Sequence, residues 1–467
     1  MEPAERPGGA GVEPAERPGG AGVEPAERPG GAGVEPAERP GGAGVEPAER
    51  LGSGLRTWSV RVGAVCAAAV MLVGCAQGQE LVLPPDAPTT PVTASVTPPE
   101  PSPAPILGGT APGSLLSAEP IEDIAVDITE LGAAATRVVY RSTSGVTGEP
   151  TDVSGTVVIP GGVAPEGGWP VVSFGHGTTG VLNNCGPSEY VNLLGSAPIV
   201  AALVLNGYAV TMTDYQGLGL DGNYHPYLDS KTFGYNMIDA VRAARNFLPT
   251  LSTRWAAYGV SLGGMAAWAA SDRNAEYGGG LELVGTAAIV PVSDMAGLAD
   301  AAASGTLTRA QYPLLMYALH GLAITHPEMN LDDYRSGLAR ERWDDFMQCV
   351  PPGSDQVPEL VARLRASDLR PVDQQATDRL RGWLADMALP TQKSTSPLLV
   401  MYGSEDDLIL ESWTEKALSR ACDAGDVVEY ELHSGEGHGD LDSSRSVPWV
   451  KARFAGQRAV NTCEQVE

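Results

Sequence analysis

The sequence predicts an α/β fold, a mostly parallel sheet covered by helices on both faces, and three observations predict it. Short apolar runs recur at Val153–Ile159, Pro170–Phe174, Tyr208–Thr213, Trp255–Val260, Leu283–Val290, Pro397–Met401 and Val427–Leu432. Helical patterns lie between them, as in Tyr235–Leu248 and Trp413–Ala424, and this alternation belongs to parallel strands joined by crossover helices. The run Trp255–Val260 turns abruptly at Gly259-Val260-Ser261-Leu262-Gly263 into a helix of small residues. Finally, the interval from about Ala299 to Thr391 is helical and loop-like, has no convincing strand, and interrupts the alternation.

In chain order, residues 1–54 are an eleven-residue repeat, (M/V)EPAERPGGAG, in four near-perfect copies and a degenerate fifth. Each copy has almost nothing to bury, so disorder is expected and a solenoid is not. A start codon placed too far upstream is an alternative reading, because every copy from the second opens with Val. Residues 55–75 place Arg56 and Arg61 before an apolar run, Val62–Val73, that is short for a bilayer span and reads as a secretory signal. Its end, Leu72-Val73-Gly74-Cys75, resembles the lipobox of bacterial lipoproteins. That resemblance implies acylation of Cys75 and a membrane anchor, and removal of Cys66 with the signal. Residues 76–115, rich in Pro, Thr, Ala and Ser, read as an extended tether. The catalytic domain is expected over 116–467, with a cap insertion at about 299–391.

Composition narrows the function. The 467-residue chain carries a net charge of −27 with no basic cluster, which argues against nucleic acid as a partner. The six histidines are scattered and HExxH is absent, so neither a metal nor a cofactor is expected.

The chemistry centres on Ser261. A serine on a tight strand-to-helix turn, flanked by glycines at 259 and 263, is the nucleophile elbow of the α/β-hydrolase fold. The motif alone is weak, since glycine supplies 57 of 467 residues; its weight comes from the strand before it, the helix after it and the partners downstream. This fold supplies a nucleophile, an acid and a histidine in that chain order. Only His433 and His438 follow the run at Pro397–Met401. His438, in the glycine-rich SGEGHGDL, is expected to be the base, and His433 a strand-end residue. The acid is expected in YGSEDDLI, where Glu405, Asp406 and Asp407 all stand as candidates and the fold's usual spacing selects Asp406. Asp294 is the runner-up. In VVSFGHGTTG, Gly177 lets the backbone approach an ester carbonyl, and the N–H groups of Thr178 and Leu262 are the expected oxyanion donors. His176 is expected to orient that loop.

These blocks, taken together, resemble the secretory lipases over most of residues 120–467. The resemblance rests on HGTTG followed by Asn184-Cys185-Gly186-Pro187-Ser188, on TDYQGLG from Thr213, and on DAVRAA at Asp239. It continues through GVSLGG, ITHPEMN at Ile324, YGSEDD, and Cys422 followed by EGHGD. It implies an exported lipase or esterase with a helical cap and a triad of Ser261, Asp406 and His438. It also implies two disulfides, Cys185 with Cys349 and Cys422 with Cys463. The chain departs from the pattern at Leu262, where many members carry Gln or Gly.

The expected activity is therefore hydrolysis of lipid esters. A short-chain esterase, a peptidase or acyltransferase with the same triad, and a non-catalytic surface binding module are the alternatives, since fold does not dictate function. Within the cap, Leu314–Ile324 is an uncharged apolar run open to two roles, packing of cap on core or the wall of an acyl tunnel.

Overall fold

The predicted apolar runs become strands of one sheet. A computed structural model describes residues 104–349 and 356–463. The repeats, the signal, Cys66, Cys75 and the tether up to residue 103 lie outside the described residues, as do 350–355 and 464–467.

The strands are β1 (Leu115–Pro120), β2 (Ala134–Thr143), β3 (Pro150–Ile159), β4 (Val171–Gly175), β5 (Ala209–Thr213), β6 (Arg254–Val260), β7 (Glu282–Ile289), β8 (Leu398–Gly403) and β9 (Val428–His433). Their order across the sheet is β1-β2-β3-β5-β4-β6-β7-β8-β9. From β5 to β9 every pairing is parallel, whereas β1, β2 and β3 pair antiparallel. Strands β1 and β2 were not predicted. In β2, buried and partly exposed positions alternate along AATRVVYRST, as they do where one face of an antiparallel pair meets water. The interior strands are buried on both faces and so read as continuous apolar runs. Ile106 already donates to Asn246 O at 2.9 Å, so the chain rests on the domain before β1 begins.

Two cores sandwich the sheet. Alternation along β6 sends Trp255 and Ala257 to one core and Ala256 and Tyr258 to the other. The first core holds the helices Ser230–Phe247 and Leu262–Tyr277; the second holds Ala197–Leu205 and Ser446–Phe454.

Between β7 and β8 the described residues form helices and no strand, as expected. The longest of them, Gln311–Thr325, carries the apolar run. Leu314, Leu315, Met316, Ala318, Leu319 and Leu322 are all buried in the first core, so packing is the role these side chains take. A charge at Leu315 or Met316 would test folding before substrate choice.

One expected disulfide is present: Cys422–Cys463 ties helix Glu411–Asp423 to the C-terminal segment across a sequence separation of 41. The other is not formed. Cys185 and Cys349 are free thiols, brought close enough that each perturbs the other's ionisation. Each also lies near an oxygen, Cys349 Sγ 3.6 Å from Thr179 O and Cys185 Sγ 3.9 Å from Asn184 Oδ1. The hydrogen bond with Cys349 and burial push the Cys185 thiol well above its usual range.

Candidate active site

Strand β6 ends at Val260 and the helix Leu262–Tyr277 begins two residues later, leaving Ser261 alone on the turn. Its backbone takes φ 59° and ψ −120°, a left-handed conformation that a non-glycine residue adopts only when its surroundings impose it. The flanking glycines impose it here. A Cβ at Gly259 would stand 1.9 Å from Gly263 O, and one at Gly263 would stand 1.9 Å from Gly175 O. Strand, helix and the end of β4 therefore close on one another at distances that only glycine permits.

Ser261, His438 and Asp406 form one hydrogen-bonded chain. His438 Nδ1 lies 2.7 Å from Asp406 Oδ2, and His438 Nε2 lies 2.9 Å from Ser261 Oγ. A carboxylate accepts, so Nδ1 carries the proton and Nε2 is left to accept from the serine hydroxyl. Asp406 is buried between its exposed neighbours Glu405 and Asp407. Its other oxygen, Oδ1, accepts from the N–H groups of Leu408 (2.9 Å) and Ile409 (2.8 Å), which fix the carboxylate towards the imidazole. The loop carrying His438 docks where β8 ends: Glu405 N–H donates to Glu436 O at 2.9 Å, and Gly437 N–H donates to Asp440 Oδ1 at 2.6 Å.

The rejected candidates are occupied elsewhere. Asp294 accepts from Arg420 Nη1 at 2.7 Å and pairs with Lys416 at 3.1 Å. Burial raises its carboxyl, but those cations outweigh it and hold the group below the usual range. His433 lies between Glu431 (3.7 Å) and Glu436 (3.0 Å) at the end of β9. His176 is fully buried, which lowers its basicity, and its Nδ1 lies 2.7 Å from Gly177 O within the loop it was expected to orient.

That loop lies directly against Ser261. A Cβ at Gly177 would stand 3.9 Å from Ser261 Cβ. As the first residue of its helix, Leu262 has no intrahelical partner for its N–H, and the helix N-terminus adds its positive end. Thr178 is exposed beside it, and among the described residues no protein acceptor takes its N–H.

Asp214 was quoted only as part of a motif, and the structure supplies its reason. Fully buried at the end of β5, it accepts from Ser154 Oγ (2.6 Å), Ser188 Oγ (2.5 Å) and Ser188 N (2.9 Å). It thus ties TDYQGLG to NCGPS. Tyr227, which shares a 2.7 Å hydrogen bond with Thr178 Oγ1, escaped sequence reasoning altogether. The residues between β5 and helix Ser230–Phe247 carry no period that marks a partner 49 positions away.

Residues 196–462 match the secretory lipase family. A curated relative, a probable inactive lipase of Mycobacterium tuberculosis (strain CDC 1551 / Oshkosh), is 26% identical over 373 residues, covering 74% of this chain and 79% of its own length. Among solved structures, Candida antarctica lipase A in its closed state superposes with a TM-score of 0.60 at 18% identity, over 76% of this chain and 85% of that one. The rice cell wall degrading esterase LipA from Xanthomonas oryzae superposes at 0.61 with 22% identity, over 74% of this chain and all of that one. At such identities these structures establish the α/β-hydrolase fold.

Proposed function

The chain belongs to the secretory lipase family, and from that premise we propose that it is a serine-dependent carboxylic ester hydrolase acting on lipid esters. The observation that carries this reading is the unbroken chain of hydrogen bonds from Ser261 through His438 to Asp406 at the elbow. Ser261 Oγ attacks the ester carbonyl while its proton passes to His438 Nε2, and Asp406 stabilises the resulting imidazolium. The N–H groups of Thr178 and Leu262 receive the oxyanion. Collapse expels the alcohol, which takes the proton from His438, and water then releases the acid by the same steps in reverse.

The substrate preference follows from the family. An acyl chain held by an apolar site contributes about 0.8 kcal/mol for each methylene fully buried. Catalytic efficiency on p-nitrophenyl esters should therefore rise from acetyl towards octanoyl, with fatty acid released from emulsified triacylglycerol. A preference for acetyl with no action on emulsions would replace the lipase by a short-chain esterase.

A second reading is favoured by the mycobacterial relative, named a probable inactive lipase: a non-catalytic module that keeps the fold. The aligned Ser261, His438 and Asp406 support the active reading for this chain. Among the described residues no helix is long and apolar enough to cross a membrane. Outside them, LVGC at residues 72–75 supports export and anchoring through an acylated Cys75. In a bacterial host that processes lipoproteins, Cys75→Ala should move the protein from the membrane to the soluble fraction or stall its processing. Wild-type protein that is wholly soluble and begins elsewhere would exclude the anchor.

A further inference from the structure

We propose that the Thr178 hydroxyl is a third donor to the oxyanion and that Tyr227 is the positioning residue that turns it there. The inference rests on the ester-hydrolase reading and extends it to a side chain and a partner that reading does not use.

The reasoning is an accounting of protons. Tyr227 is 2% exposed, and its hydroxyl lies 2.7 Å from Thr178 Oγ1. A buried phenol gives its proton to an acceptor, and among the described residues Thr178 Oγ1 is the one in reach. Burial pushes the phenol well above its usual range, so the proton is present at every working pH. Tyr227 is thus the donor and Thr178 Oγ1 the acceptor. The Thr178 hydroxyl keeps its own proton, and among the described residues no protein group receives it. Thr178 is exposed, and its neighbour Gly177 abuts Ser261. The segment that carries this hydroxyl thus abuts Ser261, and the proposal directs the free proton towards the arriving ester carbonyl.

Tyr227 is held firmly enough to do this. Its backbone meets the cap helix Gln311–Thr325 at Gly321, where a Cβ would stand 3.0 Å from Tyr227 N. The Tyr317 ring of the same helix meets the Tyr227 ring edge-on at 5.7 Å between centroids. The His225 ring lies 5.9 Å from it between centroids. With one lone pair of Thr178 Oγ1 engaged by an anchored donor, the hydroxyl is restricted in rotation before substrate binds, and a preset donor stabilises the developing charge without reorganisation.

The test is a set of variants, Thr178→Val, Thr178→Ser, Tyr227→Phe and the double Thr178→Val/Tyr227→Phe, assayed on p-nitrophenyl butyrate with melting temperatures recorded. Thr178→Val should lower kcat about a hundredfold with KM little changed, as loss of an oxyanion donor does. Thr178→Ser should keep near wild-type turnover. Tyr227→Phe should lower kcat roughly tenfold, the scale of one hydrogen bond. The double variant should match Thr178→Val, because Tyr227 acts only through that hydroxyl. Wild-type kcat in either single variant, losses that multiply in the double, or losses confined to KM would each overturn the proposal. Thr178 is exposed, so Thr178→Val carries the test even if Tyr227→Phe loosens the packing. A wild type that neither hydrolyses the ester nor takes a fluorophosphonate label overturns the hydrolase reading and this proposal together. An active wild type with indifferent variants overturns this proposal alone.

Discussion

Ser261→Ala should lower turnover on any ester by about a thousandfold or more, as removal of a triad nucleophile does. The expectation rests on position as much as on identity. Ser261 is the turn residue between β6 and its helix, held at positive φ, with its hydroxyl 2.9 Å from His438 Nε2. The variant should fold: the closures that force the turn involve Gly259, Gly263 and Gly175, and none involves the serine hydroxyl. Its melting temperature should therefore stay near that of the wild type while kcat collapses and KM barely moves. Retained turnover, or covalent labelling by a fluorophosphonate in the variant, would place the nucleophile elsewhere.

The second large effect concerns the acid. Asp406→Asn should lower kcat by about ten-thousandfold, because an amide no longer holds the imidazole in the tautomer that accepts from serine. Asn at 406 keeps the Oδ1 that Leu408 and Ile409 N–H groups use, so the loop should survive and the loss should be catalytic. Asp294→Asn should instead cost stability, since it leaves Arg420 and Lys416 without their carboxylate, and should leave turnover on folded enzyme largely intact. The histidines follow the same contrast. His438→Ala should approach the loss at Ser261, and His433→Ala should be mild. An inverted order in either pair would exchange their roles.

How much of this was legible depended on the kind of constraint. The elbow was legible because a Cβ at Gly259 or Gly263 would stand 1.9 Å from a backbone oxygen, which only glycine avoids. His438 emerged because only two histidines follow β8. Asp406 was selected over its neighbours by spacing, and a linear reading could not see that 406 is the buried one of the three acids. The interior strands were legible as apolar runs, whereas β1 and β2 lie towards the antiparallel edge and carry too many polar residues to form one.

Other features were beyond a linear reading. Leu314–Ile324 is apolar on nearly every side because it is buried on nearly every side, and a tunnel wall would have the same composition. The Tyr227–Thr178 bond joins two segments that only the closed sheet and cap bring together. At Cys185 and Cys349 the resemblance implied a bond where the structure holds two neighbouring free thiols, a difference that composition does not carry.

The central claim is that this chain is a working serine hydrolase. It is tested most directly by treating the purified protein with a fluorophosphonate and mapping the adduct. The expected result is one label per molecule, on Ser261, at a rate that falls away in Asp406→Asn and is matched by loss of ester hydrolysis. An unlabelled wild-type protein that hydrolyses no ester, or a label carried on a serine other than 261, would contradict it.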